Sequence, residues 1–144
     1  MRYDGLGTYF RRVTECAGEL LQSALRRRNV SKPRFPIDTA VLTPLFFTGF
    51  CCRDWTIRRD ALQLLDAWGE VIEPTNSRER VVRGMKRSAL ERLIDIESEG
   101  LQPGSVIPEP ARIRYVRVAV PPGSLRAHIS YLRSSSAVFE NSSA

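Results

Sequence analysis

The stretch TPLFFTGFCCRDW, Thr43 to Trp55, carries no charge until Arg53 and Asp54 and contains two adjacent cysteines. Whether it spans a membrane, holds a metal or fills a core decides the fold. The uncharged run begins at Thr39 and ends at Cys52. That is well short of the ~20 apolar residues that cross a bilayer, and Pro44 and Gly49 interrupt it. Neighbouring helical positions point about 100° apart, so Cys51 and Cys52 do not share one metal ion without distortion. Core filling remains. Leu42, Leu45, Phe46, Gly49 and Phe50 recur at i, i+3, i+4, i+7 and i+8, while Val41, Phe47 and Cys51 occupy the other side. A helix apolar nearly all round is an interior helix, and its thiols behave there as small inert hydrophobes.

Upstream, Leu6 to Arg28 has helical spacing, with Tyr9, Val13, Cys16, Leu20, Leu21 and Leu25 on one side and Arg11, Arg12, Glu15, Glu19 and Arg26 mostly on another. The prolines of Ser31-Lys-Pro-Arg-Phe-Pro36 break that helix, and Asp38 is a candidate cap for the central one. Downstream, Asp54 caps a third helix whose apolar stripe is Ile57, Ala61, Leu64, Leu65 and Trp68, ended by Gly69. Asn76 or Ser77 opens a fourth, with Val81, Val82, Met85, Ala89, Leu93 and Ile96 as its buried side and Gly100 as its stop. Then the pattern changes. RIRYVRVAV (Arg112–Val120) and RAHISYL (Arg126–Leu132) are partly alternating and flank the turn Pro121-Pro-Gly-Ser124, the signature of a β-hairpin. The alternation slips at Tyr115-Val116, marking a bulge or a strand covered on both faces. The expected fold is therefore mainly α, with about four helices (6–28, 39–52, 55–68 and 77–99) in helical hairpins and a C-terminal β-hairpin over 112–132. Residues 1–133 form one unit and 134–144 a flexible polar tail.

Composition narrows the function. With 42% hydrophobic and 26% charged residues, the 144-residue chain has ordinary globular usage. Its net charge of +6 favours acidic partners, yet residues 61–100 carry six basic and eight acidic side chains, so no block of the chain is purely basic. The N-terminal MRYDGLGTYFRR has no apolar core of a secretory leader, which predicts an intracellular chain. Three cysteines, an odd number, do not build a disulfide framework there. Cys16, Cys51, Cys52 and the single His128 fall short of a structural zinc site. Neither a phosphate-cradling glycine loop nor a Gly-x-Ser-x-Gly elbow occurs. The expectation is a non-enzyme with no catalytic, metal or cofactor-binding residues, no small-molecule ligand and no membrane contact.

One electrostatic feature asks for a partner. Asp95, Glu97 and Glu99 crowd the last turn of the fourth helix, where the helix dipole and the unpaired carbonyls disfavour negative charge. Arg53, Arg58 or Arg59, around the start of the third helix that Asp54 caps, is the candidate counter-charge, which would lock the two helices antiparallel. A second use of charge is also open. Arg80, Arg83 and Arg87 share a helix face at i, i+3 and i+7, so a small basic helical protein binding nucleic acid directly through them is the alternative reading.

Several short motifs occur in a fixed order: Pro44-Leu45-Phe46, Cys52-Arg53-Asp54, the helix Ile57 to Leu65, the acidic end Ile96 to Gly100, and Ile107 to Arg112 leading into the hairpin. Together they span Phe35 to Leu132 and resemble the C-terminal part of the fungal-specific regulatory region of zinc-binuclear-cluster transcription factors. The resemblance implies a nuclear, non-catalytic regulatory module that works through protein partners or self-association via a helical surface. It also implies that DNA contact is made only by a zinc-cluster domain. This sequence lacks that domain, because three cysteines cannot build a six-cysteine cluster.

Overall fold

The computed structural model describes residues 4–27, 38–72, 74, 76–119, 121–122, 128–135 and 140–143. Four helices carry the fold: α1 (Gly7–Arg26), α2 (Thr43–Cys51), α3 (Trp55–Val71) and α4 (Ser77–Glu97). An antiparallel sheet follows, in the order β1 (Ile113–Ala119), β2 (His128–Arg133), β3 (Glu140–Ser143). The expected mainly α architecture with a C-terminal hairpin is present. Residues 31–36, read as a helix break, and the centre of the hairpin turn lie outside the described residues.

Local chemistry sets the helix ends. A wider π turn, Asp38–Leu42, leads into α2, and Pro44 supplies no N–H to continue an α ladder at that junction. The proposed cap at Asp38 rests on a side chain outside those described. Asp54 accepts the Ile57 N–H at 3.1 Å and Asn76 accepts the Glu79 N–H at 2.8 Å, so both helices start on side-chain caps. Gly69 does not end α3, which continues to Val71. Gly100, at φ +76°, takes the left-handed conformation that terminates the α4 segment.

The main core draws on all four helices: Ala17 and Leu21, Leu45, Ala61, Leu62, Leu65 and Trp68, then Leu90 and Ile94, with Val41 and Leu42 of the π turn. Each fully buried large side chain contributes roughly 1.5–3 kcal/mol. α4 buries a second stripe, Ala89, Leu93 and Ile96, against Ile129 and Tyr131 of β2. It is therefore the central element, with helices on one side and the sheet on the other. The strand register shifts between Ile113 and Tyr115, just before the slip in alternation at Tyr115-Val116, and both of those residues are exposed, so the strand is not covered on both faces there.

The arrangement corrects several expectations. Of the apolar side expected for α1, Leu21 is buried, but Tyr9 and Leu20 are 55% and 53% exposed and Leu25 is exposed as well, and Phe10, Thr14 and Ala17 are buried in their place. Small residues at 14 and 17 allow close approach, and the Trp68 indole donates to the Ala17 carbonyl at 3.2 Å. α2 is not enclosed all round, because Phe47 and Phe50 reach the surface while Leu45, Thr48 and Gly49 are buried. Val81 and Val82 are exposed, because the N-terminal half of α4 meets the end of α3 through Arg83 and Arg87 instead. The tail expected over 134–144 contains β3, whose backbone pairs with β2 from His128↔Ser143 to Tyr131↔Glu140. Strand pairing of this kind needs backbone donors and acceptors rather than apolar side chains. Glu140 adds anchors by accepting from Tyr131 at 3.0 Å and pairing with Arg133 at 3.3 Å.

Candidate functional site

The charged residues singled out in the sequence converge on one buried junction. Arg58, in the first turn of α3, is 1% exposed, and Glu97, the last residue of α4, is 3% exposed. Their side chains form an ion pair. Arg58 Nε also donates to the Gly49 carbonyl at 2.7 Å, and the second carboxylate oxygen of Glu97 accepts the Ile113 N–H at 2.5 Å. One buried pair thus joins the C-terminal end of α2, the start of α3, the end of α4 and the start of β1.

Each contact answers a local need. The last carbonyls of a helix have no intrahelical donor. In α2 the Gly49 carbonyl is met by Arg58 and the Cys51 carbonyl by Arg112 at 3.1 Å. A carboxylate at the negative end of α4 is tolerated because a guanidinium faces it. Around this pair, Arg59 meets Asp95 at 2.5 Å and lies over the Trp55 ring at 5.3 Å. Arg53 exchanges bonds with Ile107: its Nε donates to the Ile107 carbonyl at 2.8 Å, and its own carbonyl accepts the Ile107 N–H at 2.9 Å. Asp54 bridges Val106. Glu99 stands apart from the junction, exposed and 4.0 Å from Arg133 of β2. The contribution of Arg112 and the Ile113 N–H has no periodicity to announce it. It exists only because the sheet folds back onto the end of α4.

The junction is chemically closed. Its guanidinium and carboxylate are engaged with each other and with backbone groups, an arrangement that holds elements together. Cys52 is 2% exposed and Cys51 is half-buried. Burial pushes both thiols up, most directly by removing the charged form from water. Among the described residues no three His, Cys, Asp or Glu side chains stand together as a metal site. His128 is exposed on β2.

The alternative basic face is largely occupied. Arg83 pairs with Glu79 at 2.5 Å and donates to the Ile72 carbonyl at 3.1 Å. Arg87 donates to both oxygens of Asp66 at 2.7 and 2.8 Å and also pairs with Glu91. The hydrogen bonds that Arg87 donates to Asp66 raise the guanidinium pKa further. Arg80 is exposed. The partners Glu79 and Glu91, four residues either side, are legible as i, i+4 pairs, whereas Asp66 comes from α3 and is visible only after folding. No helix among the described residues is long and apolar enough to cross a membrane. Comparisons with family models, with curated proteins and with solved structures find no match to this chain.

Proposed function

We propose that this chain is a non-catalytic regulatory and interaction module of a fungal transcription factor, acting in the nucleus through protein contacts. The observation that carries the reading is the convergence of the motifs on which the family resemblance rests. Residues scattered along the sequence as Cys-Arg-Asp, Ile-Arg-Arg, the acidic helix end and Ile-Pro-Glu-x-Ala-Arg touch one another at a single buried junction. Arg53 meets Ile107, Arg58 meets Glu97, and Arg112 meets Cys51. Side chains spent on holding helices to a sheet serve a scaffold, and a scaffold regulates by what docks on it. Direct nucleic-acid binding through α4 is disfavoured, because Arg83 and Arg87 already hold carboxylates and would have to give them up to reach phosphates.

The test tethers the whole chain to a heterologous DNA-binding domain in a fungal host and measures reporter transcription. The tethered chain is expected to shift reporter output, and the shift is expected to be lost when the junction is broken by Glu97→Ala. A folded, nuclear fusion that leaves output at the level of the DNA-binding domain alone rejects the proposal. So does a purified chain that binds one DNA sequence selectively in a salt titration.

A further inference from the structure

We propose that the outer face of α1 is a self-association surface on which two copies of this chain pair antiparallel. This rests on the reading of the chain as an interaction module and names its partner. The inner face of α1 is used up by the core through Phe10, Ala17 and Leu21. A second apolar line runs along the flank: Leu6 at the helix start, then Tyr9, Val13, Cys16 and Leu20, with Val13 partly buried against the main core. Its steps alternate three, four, three and four residues, the seam that keeps facing a partner helix. Tyr9 and Leu20 are more than half exposed, and Val13 and Cys16 are intermediate. Beside this line a groove of about 300 Å³ opens between α1 and Ala40, Val41 and Pro44. It gives a partner's side chains somewhere to seat.

The charges choose the occupant. In an antiparallel pair with Val13 opposite the partner's Cys16, Tyr9 lies opposite the partner's Leu20, so large residues close both ends and small ones meet in the middle. That register sets Arg12 beside the partner's Glu19, and by symmetry Glu19 beside the partner's Arg12. Sliding the pair by one heptad places Arg12 against the partner's Arg12, or Arg12 against the partner's Arg26 and Glu19 against the partner's Glu19. Like charges exclude both alternatives. A parallel pair faces Arg12 with the partner's Ala17 and gains no ion pair. In the single chain Arg12 lies in the field of Glu15 and Glu19 and makes an exposed contact to Glu15 at 3.3 Å, weak enough for a partner's carboxylate to replace it. One helix pair belongs to the smallest interface class, below about 1,200 Å², so the dimer is weak and reversible.

Sedimentation of the purified chain across a concentration series tests this. A monomer–dimer equilibrium with a dissociation constant on the order of 1–100 µM is expected. Leu20→Glu, at an exposed position, is expected to give a monomer with an unchanged circular dichroism spectrum. Because each charge acts twice by symmetry, Arg12→Glu or Glu19→Arg alone should weaken the dimer by roughly tenfold. Combining them should restore it to near the starting value. Arg12 and Glu19 already attract one another within a chain, and that attraction is common to monomer and dimer, so it drops out of the dissociation constant. A short bis-maleimide should link two copies through Cys16 in a Cys51→Ser background. A chain monomeric well above 100 µM, a dimer indifferent to Leu20→Glu, or charge reversals that fail to rescue each other overturns the proposal. A monomeric chain that still shifts the reporter described above overturns the dimer alone and leaves the interaction-module reading standing.

Discussion

Removing Glu97 should be the most damaging single loss of a side chain at the buried junction of helices and hairpin, and its cost can be built up from the contacts. In Glu97→Ala the Arg58 guanidinium, 1% exposed, keeps its charge with no counter-ion. Breaking a buried pair from one side costs about 3–5 kcal/mol. The Ile113 N–H loses its acceptor as well, a further ~1–3 kcal/mol to the extent that water cannot reach it. A loss of roughly 4–8 kcal/mol is comparable to the 5–15 kcal/mol that holds a domain of this size together. Asp95→Ala is the control on the same helix end. Its pair with Arg59 is about a third to a half exposed, so a change of about 0–1 kcal/mol is expected. Replacing both buried partners, Arg58→Met with Glu97→Leu, removes the stranded charge and should recover most of the loss. Urea unfolding followed by tryptophan fluorescence and circular dichroism measures these three variants and the single substitutions at Arg58 and Arg59 that complete the two cycles. If Glu97→Ala falls below the folding threshold, Glu97→Gln, which keeps the shape and loses the charge, supplies the cycle. A coupling energy between Arg58 and Glu97 below about 0.5 kcal/mol, or one no larger than that between Arg59 and Asp95, refutes the reasoning.

Two neighbours on α2 should move stability in opposite directions. A Cβ on Gly49 would sit 2.6 Å from a Leu90 methyl carbon and 3.2 Å from its branch carbon, so Gly49→Ala should destabilise by about 1–3 kcal/mol through overpacking. The buried Thr48 hydroxyl has no hydrogen-bond partner among the described residues, so Thr48→Val should stabilise by about 1 kcal/mol in the same unfolding assay. The thiols give a pH test. Burial lifts Cys51 and Cys52 above the ordinary 9.0, so the folded chain holds these protons more tightly than the unfolded one. Stability is unaffected below that value and falls as pH rises past it. Cys52 should react with a thiol reagent at neutral pH only after urea is added, and the alkaline loss should shrink in Cys51→Ala. Rapid labelling of Cys52 in the native chain contradicts the sealed core.

The sequence by itself determined the helices, their caps and the strand pair, because these depend on short-range physics. A carboxylate or amide at Asp54 and Asn76 satisfies the first N–H groups of a helix wherever that helix ends up, and β-branched alternation writes a strand locally. It also exposed the misplaced charge at the end of α4, and with it the short set of arginines from which a partner must come. What it left open was which partner, and which face. Arg58 rather than Arg53 reaches Glu97, and Arg53 turns to Ile107, because the crossing of α3 and α4 and the return of the chain at 105–107 are properties of the assembled fold. α1 carries two apolar stripes, and local spacing cannot rank them. Packing against Trp68 selected the narrower one with Ala17, and so placed Tyr9 and Leu20 on the outside and left Val13 and Cys16 partly covered at the core's edge. The polar tail joined the sheet for the same reason: β3 needed only an open edge of β2, and an edge exists only once the other strands are in place.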